Sequence, residues 1–142
     1  MLPRTRLTQP STERTSEVKR LEQALADFGQ EMGVQNLATG PTGVVELRFD
    51  HGATLGFFRQ GEEVVLHWAE PAPYEGTGLL LRAFKRSSDP SPGDPPLQVG
   101  LRQVDGVDKL VLATRLAEDQ CDAREFQRVT AWLREFAHAL KN

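Results

Sequence analysis

Cysteine is nearly absent from this chain: Cys121 stands alone, so no internal disulfide can form and a metal site built on paired thiolates is excluded. No apolar run approaches the roughly twenty residues that cross a bilayer. The first fifteen residues carry Arg4, Arg6 and Arg14 but no apolar centre like that of a secretory signal. A cytoplasmic location with no membrane partner is therefore expected. The glycines spell no phosphate loop, because Gly40, Gly43 and Gly52 are scattered and none leads a strand into a helix ahead of Lys-Ser or Lys-Thr. A net charge of −3 gives no global attraction to nucleic acid. The cations Lys19, Arg20, Lys85, Arg86, Arg124, Arg128 and Arg134 are dispersed among acids, without the interleaved aromatics that stack on bases.

What remains is the composition of one soluble globular domain, with 39% hydrophobic and 26% charged residues over 142 positions. The strongest pattern runs from Asp122 to Leu140. There Phe126, Val129, Leu133, Phe136 and Leu140 recur at steps of three and four, one stripe of an α-helix. Asp122 can accept from the Glu125 amide while Glu125 reaches back to the Asp122 amide, a reciprocal cap. A matching stripe, Val18, Leu21, Leu25, Phe28 and Met32, predicts an earlier helix capped by Ser16 and stopped by Gly33. Residues 1–15 mix Pro, Thr, Ser, Gln and Arg without periodicity and are read as a mobile arm before a single domain over 16–142.

Between the two helices the period falls to two. Val45, Leu47 and Phe49 alternate with Glu46 and Arg48 and end in the turn Asp50-His51-Gly52. A second strand, about 53–59, carries Leu55 and Phe57 on one face, and a third, about 63–69, carries Val64, Leu66 and Trp68. Pro71 and Pro73 close this antiparallel meander, since neither can donate to a ladder. The apolar segment Gly78 to Lys85 reads as a short helix, and Ser87 to Pro96 has the composition of an exposed loop that cannot pack. Leu97, Val99 and Leu101 then alternate with polar or small residues, Asp105-Gly106 turns the chain, and the return strand is about 109–115. The expected fold is α+β: helix, three-stranded meander, short helix, two-stranded hairpin, C-terminal helix, with the helices on one sheet face.

Catalytic chemistry finds little support. His51 beside Asp50 suggests an acid/base pair, but neighbours at a strand end point apart, and a solvated turn histidine is the simpler reading. His67 lies on the strand face opposite Leu66 and Trp68, a surface or interface position, while His138 belongs to the polar face of the last helix. Cys121 precedes a helix cap, where a thiol can become reactive, yet an incidental thiol is favoured. The acid pairs Glu62-Glu63 and Glu118-Asp119 sit in a turn and before a cap, where solvated carboxylates are common. No catalytic residue, metal or cofactor is expected.

Apolar residues in surplus are more informative. If the faces bearing Leu47, Phe57 and Leu66 lie under the helices, then Val44, Phe58, Val65, His67 and Val111 point to the other side, where an apolar patch marks a partner. Likewise Leu79, Leu80, Leu81 and Phe84 exceed what one buried stripe of a short helix needs, and a homodimer would use the excess. The contrasting expectation is a small-molecule-binding or catalytic α+β domain with a cleft beside His67, Trp68 and Tyr74.

The first helix with Leu21, Leu25 and Phe28, the meander, and the closing pattern from Lys109 through Leu116 to Phe126, Leu133 and Phe136 together resemble a family. The sequence is similar, over about Val18 to Leu140, to the class I chaperones of bacterial type III secretion. That resemblance implies a non-enzymatic homodimer in the bacterial cytoplasm whose partner is the extended N-terminal segment of a secreted effector. It also implies a contact made partly by strand addition at a sheet edge and partly by apolar side chains entering surface patches. By the same resemblance the dimer contact falls on Leu79, Leu80, Leu81 and Phe84 and on the following strand, Leu97, Val99 and Leu101. The proline-rich loop and the arginine-bearing arm depart from the family pattern.

Overall fold

The structure, a computed structural model, describes residues 20–34, 44–49 and 51–141. The arm expected over 1–15, the cap at Ser16 with Val18 behind it, and Asp50 lie outside those residues. Helix α1 occupies residues 20–31 and buries Leu21, Leu25 and Phe28, three members of the expected stripe. Its end is a Schellman turn, with Val34 N donating to Gly29 O at 2.7 Å and Gly33 N to Gln30 O at 3.2 Å. Met32, expected on the stripe, lies past the last full turn and is exposed.

The strands are β1 (Val44–Arg48), β2 (Thr54–Gln60), β3 (Glu63–Pro71), β4 (Gln98–Val104) and β5 (Val107–Ala117). They form one antiparallel sheet in the order β1-β2-β3-β5-β4. The β4–β5 turn sets both central residues left-handed, Asp105 at φ 52° and Gly106 at φ 78°, the geometry that matches the twist of a tight hairpin. Helix α2 (Gly76–Ser87) extends two residues beyond the expected short helix at each end and packs against β4, β5 and α3 (Ala123–Leu140).

All helices cover the same sheet face. Alternation places Leu47, Leu55, Phe57, Leu66, Trp68 and Leu112 on that face, with registers such as Phe57↔Leu66 and Trp68↔Leu112 bringing them side by side. Phe28 of α1, Phe57 of β2 and Phe126 of α3 meet edge to face, with centroids 5.1 to 6.0 Å apart, so one aromatic cluster joins both long helices to the sheet. Each such buried side chain contributes on the order of 2 kcal/mol.

Helix α3 buries its whole expected stripe. Asp122 caps it by accepting from the Glu125 amide at 2.7 Å, but the return bond is not made: the Glu125 carboxylate accepts from Arg128 instead. Two further expectations need correction. Glu118, read as solvated, is buried and paired with Arg59 at 2.8 Å. The loop over 87–96 does pack at its end, where Pro95 is buried, Trp132 donates to Asp94 and Thr114 donates to the Pro96 carbonyl. Long-range partners supply what the loop's composition lacks.

Candidate functional site

The sheet face away from the helices is the candidate site. Antiparallel pairing fixes which residues share it, because register partners point to the same side. The rows are Gln60, Glu63 and Ala117; Val44, Phe58, Val65 and Arg115; Glu46, Gly56, His67, Ala113 and Gln98; Arg48, Thr54, Ala69, Val111 and Gly100; Pro71, Lys109 and Arg102; and Val104 with Val107. All five residues expected to bind a partner, Val44, Phe58, Val65, His67 and Val111, stand on this face. Val44 is exposed, Phe58, His67 and Val111 are half-buried, and Val65 is buried.

The face is concave. Two adjoining hollows of about 680 and 560 Å³ open on it, with Ala113 in the lining of the first and Ala69 in that of the second. The first runs past Phe58, Val65 and Leu97, the second past Thr54, Ala69 and Lys109, and His67, Arg102 and Val111 line both. At the centre the His67 ring lies over Gly56 so closely that a Cβ there would sit 2.0 Å from the ring. The ring also stacks at a tilt on Phe58, with centroids 5.8 Å apart. Burial lowers the pKa of His67, Glu46 pulls it partly back and Arg102 lowers it further, so the imidazole is neutral at physiological pH. The face thus offers apolar walls, a neutral ring and a partly cationic rim, which suits an extended peptide better than a reacting substrate.

Solved structures share this architecture. The type III secretion chaperone SycH of Yersinia pestis, in complex with a stable fragment of YscM2, aligns at a TM-score of 0.64 and 18% identity over 84% of this chain and 98% of that one. A chain of the HopA1–SchA chaperone–effector complex aligns at 0.65 and 17% over 89% and 95%, and one of the ExsC–ExsE complex at 0.67 and 22% over 84% and 90%. The chain has the type III secretion chaperone fold. At these identities the likeness is one of fold, and neither a protein-family model nor a curated protein sequence matches the chain.

Within the chaperone fold the residues expected at a dimer contact divide into two groups. Leu81 and Phe84 are 63% and 50% exposed on α2. Leu79 is instead buried, Leu80, Val99 and Leu101 are half-buried against the core from the helix side of the sheet, and Leu97, just before β4, packs on the core while also lining the first outer hollow. The outer edges of β1 and β4 carry no strand partner among the described residues.

The residues of the alternative cleft do not converge. Trp68 is fully buried on the helix face, His67 points to the opposite side, and Tyr74 is 95% exposed in the β3–α2 connection. His51 is half-exposed and approaches not a reacting partner but the buried Glu70, which also accepts from Trp68 Nε1 at 2.8 Å and pairs with Lys141 at 2.6 Å. Burial and four nearby carboxylates push the Cys121 thiol up to about 12, so it stays protonated and unreactive at neutral pH. No group of three metal-ligating side chains occurs among the described residues, and no described helix is long and apolar enough to cross a membrane.

Sequence reading missed Gly56, Arg102 and Lys109. Gly56 carries no pattern signal of its own. The two cations were findable, since strand parity from Val111 already puts Lys109 on the outer face.

Proposed function

We propose that this protein is a non-enzymatic, homodimeric chaperone of the bacterial cytoplasm that holds the extended N-terminal segment of a type III secretion effector. The observation that carries this reading is the division of the sheet: helices close one face, while the other is concave, half apolar and flanked by two edge strands with no strand partner among the described residues. An extended segment suits such a surface, because main-chain bonds at an edge give affinity while alternate side chains fill hollows on the face. Holding a client unfolded needs a large contact to offset the ordering of its chain, and a face together with an edge supplies one. The chaperones that share the fold were solved with effectors or protein fragments, which supports the same reading. Val44, Phe58, Val65, His67 and Val111 would contact the client.

Co-expression of the tagged chain with effector reading frames, followed by pull-down, tests the proposal. Wild-type chain is expected to retain a client through its N-terminal segment. Phe58→Asp and Val111→Asp are expected to release it while the circular dichroism spectrum stays unchanged. If both variants, folded, keep every client that the wild type keeps, the assignment of this face is wrong.

A further inference from the structure

Arg102 on β4 and Lys109 on β5 are register partners, so two cations stand directly opposite each other on the outer face. Like charges in that relation destabilise a sheet. Neither ion-pairs with any residue among those described, although Arg48 pairs with Glu46 and Arg115 with Glu63 on the same face. Asp105 and Glu46 border the hollow beside them without pairing to either. Two facing cations that pair with no carboxylate among the described residues fit a counter-charge brought from outside.

We infer that Arg102 and Lys109 clamp a carboxylate of the bound segment, so the client is an extended peptide with an acidic residue at a fixed distance from an apolar anchor. This rests on the client-binding reading above and gives it a sequence preference. The anchor site is the hollow at Phe58 and Val65, in the row of Arg115; the clamp is in the row of Lys109, six residues along β5. At about 3.4 Å per residue that is roughly 20 Å along the strands, and since the anchor is on β2 and β3 and the clamp on β4 and β5, about six residues of extended client would cross the sheet obliquely between them. An even spacing keeps both client side chains on the side that faces the sheet. The chain's own first fifteen residues place Leu7 six residues before Glu13, but Arg4, Arg6 and Arg14 give that segment a net positive charge that opposes the clamp. Charge complementarity calls for an acidic partner.

The test uses fluorescein-labelled peptides of about twelve residues with a leucine followed six residues later by Glu, Gln or Lys, titrated onto the full chain by fluorescence anisotropy at low and high salt. Wild-type protein is expected to bind the Glu peptide roughly tenfold more tightly than the Lys peptide, a preference that salt weakens. The double variant Arg102→Glu, Lys109→Glu is expected to reverse the preference, which a merely misfolded variant would not do. Equal binding of all three peptides by wild type overturns the clamp and leaves the apolar face standing. Failure of every peptide, the neutral one included, overturns the face and the clamp together. A change in the variant's self-association with no change in peptide preference assigns the cations to a second copy and also overturns the inference.

Discussion

At Gly56 the missing side chain is what gives His67 its seat. A methyl group there would stand 2.0 Å from the ring carbon of His67, a distance that atoms do not tolerate, so the ring must leave the sheet. Gly56→Ala is expected to cost about 1 to 3 kcal/mol in urea unfolding, the usual penalty for overpacking. Adding His67→Ala removes the obstructing ring, and the double variant is expected to be more stable than Gly56→Ala alone. Strictly additive losses in that double-mutant cycle would show that the two residues are not coupled.

Helix α3 shows how packing and capping compare within one element. Its cap, Asp122 to the Glu125 amide, satisfies one orphan donor, and its stripe fills the space over the sheet. Leu133→Ala is expected to lose about 2 to 5 kcal/mol and Asp122→Ala about 1, both read from denaturant midpoints. A cap variant as damaging as the core variant would mean that the start of α3 organises more than its own first turn. This element was almost fully legible in sequence, because a five-member apolar stripe with a capping acid permits few other readings. The faces of the strands were equally legible, since alternation alone separates Phe57 from Phe58 and Leu66 from His67. What sequence did not disclose depends on residues far apart in the chain. Arg102 and Lys109 are a local pair, set opposite each other by the two-residue Asp105-Gly106 turn, but nothing local to Glu118 announces Arg59 and nothing in the proline-rich loop announces Trp132. Those pairings follow from strand order and helix placement, which composition does not encode.

At the scale of the molecule, Leu81 and Phe84 on α2 form an apolar surface left exposed among the described residues. Sedimentation equilibrium of the wild type at micromolar concentration is expected to show twice the 15.8 kDa chain mass, and Leu81→Asp with Phe84→Asp to return the single mass. A wild-type monomer would remove the homodimer from the proposed function without touching the client-binding face. The strand order has a consequence of another kind, for how the chain reaches its fold. The meander β1–β2–β3 can zip together locally as it is made, but β3 waits with one edge bare until β5 closes it, and their partners, such as Glu63 and Ala117, are distant in sequence. Joining them carries a large loop-closure entropy, so this is the slow step of folding and the interval in which β3 is open to wrong neighbours. The strand at the centre of the finished sheet is thus, during synthesis, the chain's most vulnerable edge.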